Sequence, residues 1–427
     1  MQPDAHLLIR KGRVLDPAAG RDEVADVLVE NGRLSRIGAS LDAPGAELID
    51  AEGLWVLPGL VDGCIRLSEP GGACTGSIAS ETRAAAAGGI THLGGLPDTD
   101  PVMDNAAVVQ LVYEQAEKAG FARILPMGAL THQLEGEHLA EMHTLHQAGC
   151  VAFTNAGYPT TDALVLKRCL EYAANFDLPV VFRPQEAALT GNGCAHDGRI
   201  ATHLGLPGVP VDAETVAVAR DLELVQATGV RAHFHQISAA ASLRLLRDAR
   251  ERGLPVTADV SIHHLLLNEH ALEGFNSLCH IQPPLRHDRD RQALLEAVAD
   301  GTLDVICSQH TPLGSSARLA PLPETRPGIS GLDTLLPLLL HLVERGELPL
   351  ERALDAVTAA PARCLGRPAG RLEPGHAASL CLVDPEPRRI PGEDWLSAGR
   401  NSPWLETELP GVVRLTVCEG KVTWLSD

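Results

Sequence analysis

Aromatic side chains are scarce in this sequence. Phe, Trp and Tyr together make up 3% of the residues, whereas apolar residues of all kinds make up 45% and charged residues 21%. The apolar share is ordinary for a globular protein, so the core must be built mainly from Leu, Val, Ala and Ile. A chain of 427 residues has room for one large barrel and a smaller domain.

Basic residues are also in short supply. Lys and Arg number 35 against 55 Asp and Glu, which gives a net charge of −20 and an isoelectric point near 5.3. A nucleic-acid partner requires a basic stripe that displaces counterions from the phosphates. The sequence therefore predicts no nucleic-acid partner.

Paired cysteine motifs and long apolar runs are absent. The ten cysteines include no CxxC pair, a pattern typical of a reduced, cytosolic protein. Residues 1–6 lack the basic segment that opens a secretory signal, and no stretch reaches the ~18 uninterrupted apolar residues of a membrane helix. We therefore expect a cytoplasmic protein without a membrane partner, and we predict that Leu335 to Leu342 forms a buried helix.

What the sequence does contain is a regular alternation of strand and helix patterns. Helical patterns such as 106–118 and 242–252 separate the strand candidates, and eight such units favour a (β/α)8 barrel with its active site at the C-terminal ends of the strands. The Pro-rich stretch 319–327 is predicted to be an exposed loop that could cover the barrel mouth. The predicted strands are 56–67, 90–97, 122–130, 150–155, 179–184, 230–237, 255–262 and 303–309.

The most informative stretch runs from Val56 to Gly71. Its frame Leu57-Pro58-Gly59-Leu60-Val61-Asp62, followed by Glu69-Pro70-Gly71, resembles the first barrel strand of the dihydroorotases, which are amidohydrolases. The resemblance implies an α/β fold, a (β/α)8 TIM barrel of the amidohydrolase type over residues 56–370. It also implies a small β-sandwich formed by the N- and C-terminal segments, residues 1–55 and 371–427.

The same resemblance shows which chemical groups have been replaced. The family holds zinc on His and carboxylate ligands and uses an Asp as the proton shuttle. At all six matching positions this sequence has another residue type, namely Cys64, Arg66, Asn155, Arg183, Gln236 and Gln309. Cys64 could bind zinc in principle, but we interpret it as a buried strand cysteine. A fixed positive charge at Arg66 opposes a metal ion by about 4 kcal/mol per unit of metal charge at ~4 Å.

Substrate contacts of the family are altered as well. Ser68 replaces the Arg that grips the substrate carboxylate, Asp98 and Gln282 each replace an Asn, and Leu313 replaces a His. An amide at Gln309 cannot take a proton from water at neutral pH. We therefore predict no catalytic residue, no metal ligand and no cofactor, with the family's zinc site lost.

Several histidines allow other interpretations. His233 and His235 form a local His-x-His, although the family's ligand falls on Gln236 when the strand is aligned without a gap. His263 and His264 match a pattern of the family that does not bind metal, and are interpreted as structural. Arg286, after the double proline, persists from the family's pattern and could equally be a helix-end or an interface residue.

A preserved barrel frame around a dismantled site predicts a pseudoenzyme. The chain resembles the non-catalytic dihydroorotase-like chains that some bacteria assemble with aspartate carbamoyltransferase. The resemblance implies a structural role in pyrimidine biosynthesis, within a homo-oligomer or a mixed oligomer. Two alternatives stay open: an active amidohydrolase with a non-standard metal site that uses His233, His235 or His310, and a ligand sensor in which Arg66 and Arg183 bind an anion such as a nucleotide phosphate.

Overall fold

The structure is a computed structural model that describes residues 5–72 and 75–426. The prediction about cysteines includes Cys74, and the prediction that no secretory signal is present rests on residues 1–6. Cys74 and residues 1–4 lie outside the described residues. The nine described cysteines are all free thiols, and only Cys364 is not fully buried.

The two ends of the chain meet in one eight-stranded sheet. The strand Leu7–Asp16 pairs with three others: antiparallel with Arg21–Glu30, and parallel with Glu47–Asp50 and Trp55–Pro58. Trp55–Pro58 then pairs antiparallel with Leu380–Arg389 from the C-terminal part. The remaining strands are Arg33–Gly38, Leu409–Cys418 and Lys421–Leu425. This sheet has its own apolar cluster, which includes Ile9, Val27, Val56, Leu380 and Val417.

The predicted strand 56–67 is divided in two by Pro58 and Gly59. Trp55–Pro58 belongs to the terminal sheet, and Leu60–Ile65 is the first strand of the barrel. Gly59 donates its N–H to the carbonyl of Ser379 in the terminal sheet, 2.9 Å away, whereas the next residue, Leu60, bonds to Gly89 in the barrel. A Cβ at Gly59 would lie 2.3 Å from the Thr91 side chain, so the crossing requires glycine.

Eight parallel strands form the barrel in sequence order. Neighbouring strands pair in turn from first to eighth. The first and eighth approach each other where Arg66 donates its N–H to the carbonyl of His310, at 3.0 Å. All eight predicted strands are confirmed, although most are shorter than predicted. They are Leu60–Ile65, Ile90–Gly95, Arg123–Ala129, Ala152–Thr154, Val180–Phe182, Ala232–Phe234, Val256–Ser261 and Val305–Cys307.

Helices alternate with the strands and carry ordinary end signals. Ser77 begins the first helix with a capping box to Ser80, and Gly120 ends the second in the left-handed conformation. Two short strands, Ala195–His196 and Gly208–Val209, form a separate pair in the loop after strand five. The helices are Ile78–Ala87, Ala106–Ala119, Met142–Gln147, Ala163–Asn175, Ala187–Thr190, Arg199–Leu204, Asp212–Thr228, Ala240–Glu251, Ile262–Leu266, Asp288–Ala299, Leu335–Glu344, Leu350–Val357 and Ala359–Cys364.

The core is aliphatic, as the composition predicts. The main cluster between barrel and helices consists largely of Leu, Val, Ile and Ala, with Phe153 and Phe234 among its few aromatic members. The apolar segment 335–342 lies in a buried helix, as predicted. Among the described residues, no helix is both long and apolar enough to cross a membrane.

The predicted loop over the barrel mouth is present and partly anchored. Leu319 is 83% exposed, but Leu322 is buried, and the Arg318 guanidinium donates to the carbonyls of Ser277 and Gly328. Pro327 and Gly328 at its end form part of the wall of the cavity described next.

Candidate functional site

A cavity of about 360 Å³ opens at the C-terminal ends of the barrel strands. This is the end at which barrel enzymes place their active sites. Of the six replaced ligand and catalytic positions, five line the cavity: Cys64, Arg66, Arg183, Gln236 and Gln309. The structure therefore brings together most of the residues that the sequence singled out.

Arg66 is held by Asp98. Its Nε donates to Oδ2 of Asp98 at 2.6 Å, and the carboxylate is nearly fully buried. The sequence predicted both substitutions separately, on strands one and two, but not that they compensate each other. The pair leaves the other oxygen of Asp98, Oδ1, buried and without a hydrogen-bond partner among the described residues.

Arg183 has no such carboxylate. Its Nη2 donates to the backbone carbonyl of Gln282, while its Nε is buried without a partner in the described part of the chain. Burial, together with the neighbouring charge of Arg66, lowers the pKa of Arg183 to about 10. The guanidinium consequently stays cationic at neutral pH, inside the cavity wall.

Gln309 meets Arg183 on the same carbonyl oxygen. Its Nε2 donates to the Gln282 carbonyl at 2.8 Å, and this contact fixes the orientation of the amide. The other end of the amide, Oε1, is buried and has no hydrogen-bond partner among the described residues. Gln309 as a whole is 4% exposed. Gln282 thus acts on the site through its backbone carbonyl.

The backbone is unusual at three positions of the cavity wall. Ala156, Gln236 and Gln309 have φ angles of 50°, 62° and 52°, in the left-handed region that non-glycine residues rarely adopt. Each residue lies two positions beyond the last residue of a barrel strand and lines the cavity. Such conformations concentrate at functional sites, because the surrounding structure must hold them in place.

Beneath the cavity, two histidines share one buried carboxylate. Oδ2 of Asp259 lies 2.9 Å from Nε2 of His233 and 2.6 Å from Nδ1 of His235. Burial by itself would lower the pKa of His233, but the hydrogen bond to Asp259, the interaction with Cys364 and the negative charge of Asp259 together raise the pKa to about 10. Burial would likewise raise the pKa of Asp259, yet the two histidines hold that pKa well below its ordinary value. His233 and Asp259 therefore form a buried ion pair at neutral pH.

The side-chain period of a strand does not hold at this place. His235 and Gln236 are adjacent in sequence, and both line the cavity. Strand six ends at Phe234, and the left-handed backbone at Gln236 turns its side chain to the same side.

Four predicted site residues do not line the cavity: Asp98, which reaches it only through Arg66, and Asn155, Leu313 and Ser68. The side chain of Asn155 is saturated by Thr131 and Thr160, at 2.9 to 3.2 Å, and its neighbour Thr154 lines the cavity instead. Leu313 is buried, and its N–H bonds to the Asn401 side chain at 2.8 Å. Ser68 is half-buried in the turn after strand one, where its carbonyl accepts from the Gly72 N–H.

The remaining histidines are engaged in structural contacts. Nε2 of His310 bonds to Glu81 at 2.9 Å, and its Nδ1 accepts from the Gly331 N–H. His263 accepts from the Trp404 indole, and His264 donates to the carbonyl of Pro283. Burial lowers the pKa of His263 and His264 to about 3 and about 4, so both rings are neutral at pH 7.

The donor set does not fit the zinc site that the fold implies. Within the described residues, one group of potential metal ligands lies close together: Cys64, His235 and Asp259, with ligand atoms within 4.8 Å of one another. Oδ2 of Asp259 already serves both imidazoles, and Oδ1 accepts from the Gln236 N–H at 2.7 Å. Cys64 and Nε2 of His235 remain, fewer than the three protein ligands of a catalytic zinc site, and two guanidinium groups stand in the same cavity.

Comparison with known proteins agrees with this architecture. The protein family described as "Dihydro-orotase-like" matches residues 53–242, and the one described as "Amidohydrolase family" matches residues 326–424. A "Dihydroorotase-like protein" from Pseudomonas aeruginosa is 48% identical over 416 residues, which cover 97% of this chain and 98% of that protein. The chain belongs to the dihydroorotase family, within the amidohydrolase superfamily.

Other dihydroorotase relatives extend along the whole chain. A second "Dihydroorotase-like protein", from Pseudomonas putida, is 47% identical and covers 96% of this chain and 97% of its own length. A "Dihydroorotase" from Syntrophotalea carbinolica is 42% identical and covers 99% of this chain and all of its own length.

Solved structures show the same fold at lower sequence identity. The "L-Hydantoinase (Dihydropyrimidinase) from Arthrobacter aurescens" superposes with a TM-score of 0.88 at 22% identity, covering 99% of this chain and 96% of that one. The dihydroorotase-family barrel seen here is therefore a TIM barrel of the amidohydrolase type.

Sequence reasoning missed three residues that shape the site. Asp259 lies within a predicted strand but carries no motif, Gln185 follows Arg183 by two residues, and Gly157 closes the strand-four pattern. Their roles depend on contacts between strands that no local pattern reveals. The spacing of His233 and His235 by two residues was the available signal for Asp259, because two buried imidazoles on one face need a partner.

Proposed function

We propose that this chain is a catalytically inactive member of the dihydroorotase family that supports the assembly and activity of aspartate carbamoyltransferase. The observation that carries the proposal is the set of residues that line the cavity at the C-terminal ends of the barrel strands, which we call the mouth cavity. Arg66 and Arg183 stand where the family has two ligand histidines, and Gln309 stands where it has its proton-transferring Asp.

The chemistry of these groups supports the loss of hydrolysis. A zinc-bound water needs neutral or anionic ligands around the metal, whereas two guanidinium groups line this cavity, and the carboxylate of Asp98 behind them is already paired with Arg66. A neutral amide at Gln309 offers no general base. The barrel itself is intact, which supports a role that depends on the fold.

The carbamoyltransferase partner is proposed from the resemblance of the sequence to non-catalytic chains of this family. The names of two close relatives, "Dihydroorotase-like protein", agree with a member set apart from the enzymes named "Dihydroorotase". We expect a mixed oligomer in the cytoplasm, in which this chain holds carbamoyltransferase chains together without a cofactor of its own.

Sedimentation tests the proposal directly. The chain is run alone and mixed with its cognate aspartate carbamoyltransferase chain, and carbamoyltransferase activity is followed across the profile. A larger, active species that is absent from either chain alone is expected, while an active dihydroorotase of the family, added in its place, serves as the control. Two independently sedimenting species would refute the scaffolding role.

A second candidate function is cyclic-amide hydrolysis at a non-standard metal site. It is favoured by the 42% identity to a protein named "Dihydroorotase" and by the proximity of Cys64, His235 and Asp259. Elemental analysis of the purified chain, together with dihydroorotate turnover in added zinc, distinguishes the two. Stoichiometric metal with turnover would replace our proposal, whereas less than about a tenth of an equivalent and no turnover would support it.

A further inference from the structure

We propose that the mouth cavity binds a protonated phosphate group, held by the guanidinium groups of Arg183 and Arg66 and recognised through Gln309. This binding site is independent of the scaffolding role. The proposal begins from the charges in the cavity wall: Arg66 is neutralised by Asp98, whereas Arg183 forms no ion pair with any carboxylate of the described residues. Arg183 is partly buried, and a cation that is withdrawn from water without an ion-pair partner is costly, so an anionic ligand would reduce that cost.

Geometry places both guanidinium groups at one point of the wall. A Cβ added to Gly157 would lie 2.7 Å from Nη1 of Arg183 and 3.9 Å from Nη2 of Arg66. Two like charges are therefore adjacent, and the absent side chain at Gly157 leaves the space in front of them open. Arginine pairs of this kind suit phosphate, because the planar guanidinium donates several N–H groups in one fork.

The unpartnered atoms specify more than a negative charge. Arg183 and Gln309 both donate to the carbonyl of Gln282, so Nε of Arg183 and Oε1 of Gln309 belong to side chains that meet at one atom. Nε is a donor and Oε1 an acceptor, and both are buried without a partner among the described residues. Two further polar atoms that are buried without a partner among the described residues are Oε1 of Gln236 and Nε2 of His235. These two residues are 8% and 2% exposed, and both line the cavity.

A ligand that satisfies this set must accept from Arg183 and donate to Gln309. Phosphate and its monoesters, with a second pKa of about 6 for a monoester, can bind in the singly protonated form and then meet both demands, whereas sulfate has no proton to donate. The cavity, at about 360 Å³, also has room for a substituent on the phosphate. The ligand is therefore either inorganic phosphate or the end of a phosphate monoester such as a nucleoside monophosphate.

Thermal unfolding of the full chain tests the proposal, with sodium phosphate, sodium sulfate at equal ionic strength, a nucleoside monophosphate and the matching nucleoside as probes. A ligand that binds only the folded state raises the melting temperature with its concentration. We expect millimolar phosphate to raise it by a few degrees and sulfate and the nucleoside to raise it by less than one degree. A half-maximal concentration at least tenfold lower for the monophosphate would identify a monoester as the ligand, and equal concentrations would identify inorganic phosphate.

Variants locate the effect. Arg183→Met should abolish the phosphate-dependent shift, and Gly157→Val should do the same by filling the space while keeping both charges. Arg220→Met is the matched control, because Arg220 pairs with Asp221 at 2.9 Å outside the cavity, and it should retain the shift. Equal shifts in phosphate and sulfate, or a phosphate shift that persists in Arg183→Met or Gly157→Val, would overturn the proposal.

Discussion

Two arginines on neighbouring parts of the barrel, Arg286 fully buried and Arg183 partly buried, have opposite surroundings. Arg286 donates from Nε to Ser238 and from Nη1 to the carbonyl of Val209, and its Nη2 lies 3.9 Å from Glu214. Glu214 in turn accepts bonds from Ser238, Ala239 and Ser242. Arg183 has one hydrogen bond and no carboxylate among the described residues.

The difference distinguishes a structural charge from a charge that awaits a ligand. Around Arg286 the fold supplies every partner, so the network fixes how the loop after strand five packs on strand six. At Arg183 the fold supplies the position but not the counter-charge, and the open side faces a cavity. An intact frame thus coexists with an incomplete site in one barrel.

Replacing Arg286 and Arg183 one at a time tests this difference most directly. Arg286→Met should lower the free energy of unfolding by about 3–5 kcal/mol, because it leaves the Glu214 carboxylate buried without its cation. Arg183→Met should change it by less than about 1 kcal/mol, or raise it, because no partner is abandoned. Urea unfolding of both variants beside the unmodified chain measures the two values, and equal losses would contradict the distinction.

Asp259 provides an intermediate case, because its partners are titratable. Asp259→Asn should cost about 3 kcal/mol at pH 7 by removing the counter-charge of protonated His233. The folded pKa of His233, about 10, lies above its ordinary value of 6.5. The stabilisation is therefore complete below pH 6.5 and is lost as the pH rises through about 10.

Melting temperatures of the unmodified chain and Asp259→Asn from pH 6 to pH 10.5 check this dependence. The gap between the two proteins should narrow steadily above pH 7 and nearly close by the upper limit. Asp22→Asn, which removes an exposed carboxylate paired with Arg13, is the matched control and should shift the melting temperature little at any pH. A gap of constant width would show that Asp259 acts only through packing.

These contrasts also show what the sequence can and cannot predict. All eight barrel strands follow from apolar runs with turn residues at their ends, because that signal is local. The positions at which we predict that the family's metal ligands have been replaced follow from the family's motif frames, which are also local. The pairing of Arg66 with Asp98, 32 residues apart, and of Arg183 with the carbonyl of Gln282, 99 residues apart, depends on the register of distant strands.

Two positions show where a local pattern stops being informative. The strand-four motif placed Asn155 at the site, but its side chain bonds to Thr131 and Thr160. His235 and Gln236 are adjacent in the chain, yet both line the cavity. Both positions lie beyond the last residue of a strand, where the period-two alternation of strand side chains no longer applies.

The smallest expected effect on stability comes from giving Arg183 a carboxylate partner, which Arg286 already has in Glu214. Gln309→Asp restores the residue type that the family carries at this position and introduces a carboxylate beside the unpaired guanidinium. The shorter side chain leaves the Gln282 carbonyl free for Arg183.

We expect the free energy of unfolding to rise by about 1 kcal/mol, the phosphate-dependent stabilisation to disappear, and dihydroorotate turnover to stay at background even with added zinc. Gln309→Leu, which removes the amide without adding charge, should show no such rise. If Gln309→Asp instead gains zinc-dependent turnover, then the residues of this cavity can still hold zinc, and our proposal that the metal site is lost is wrong.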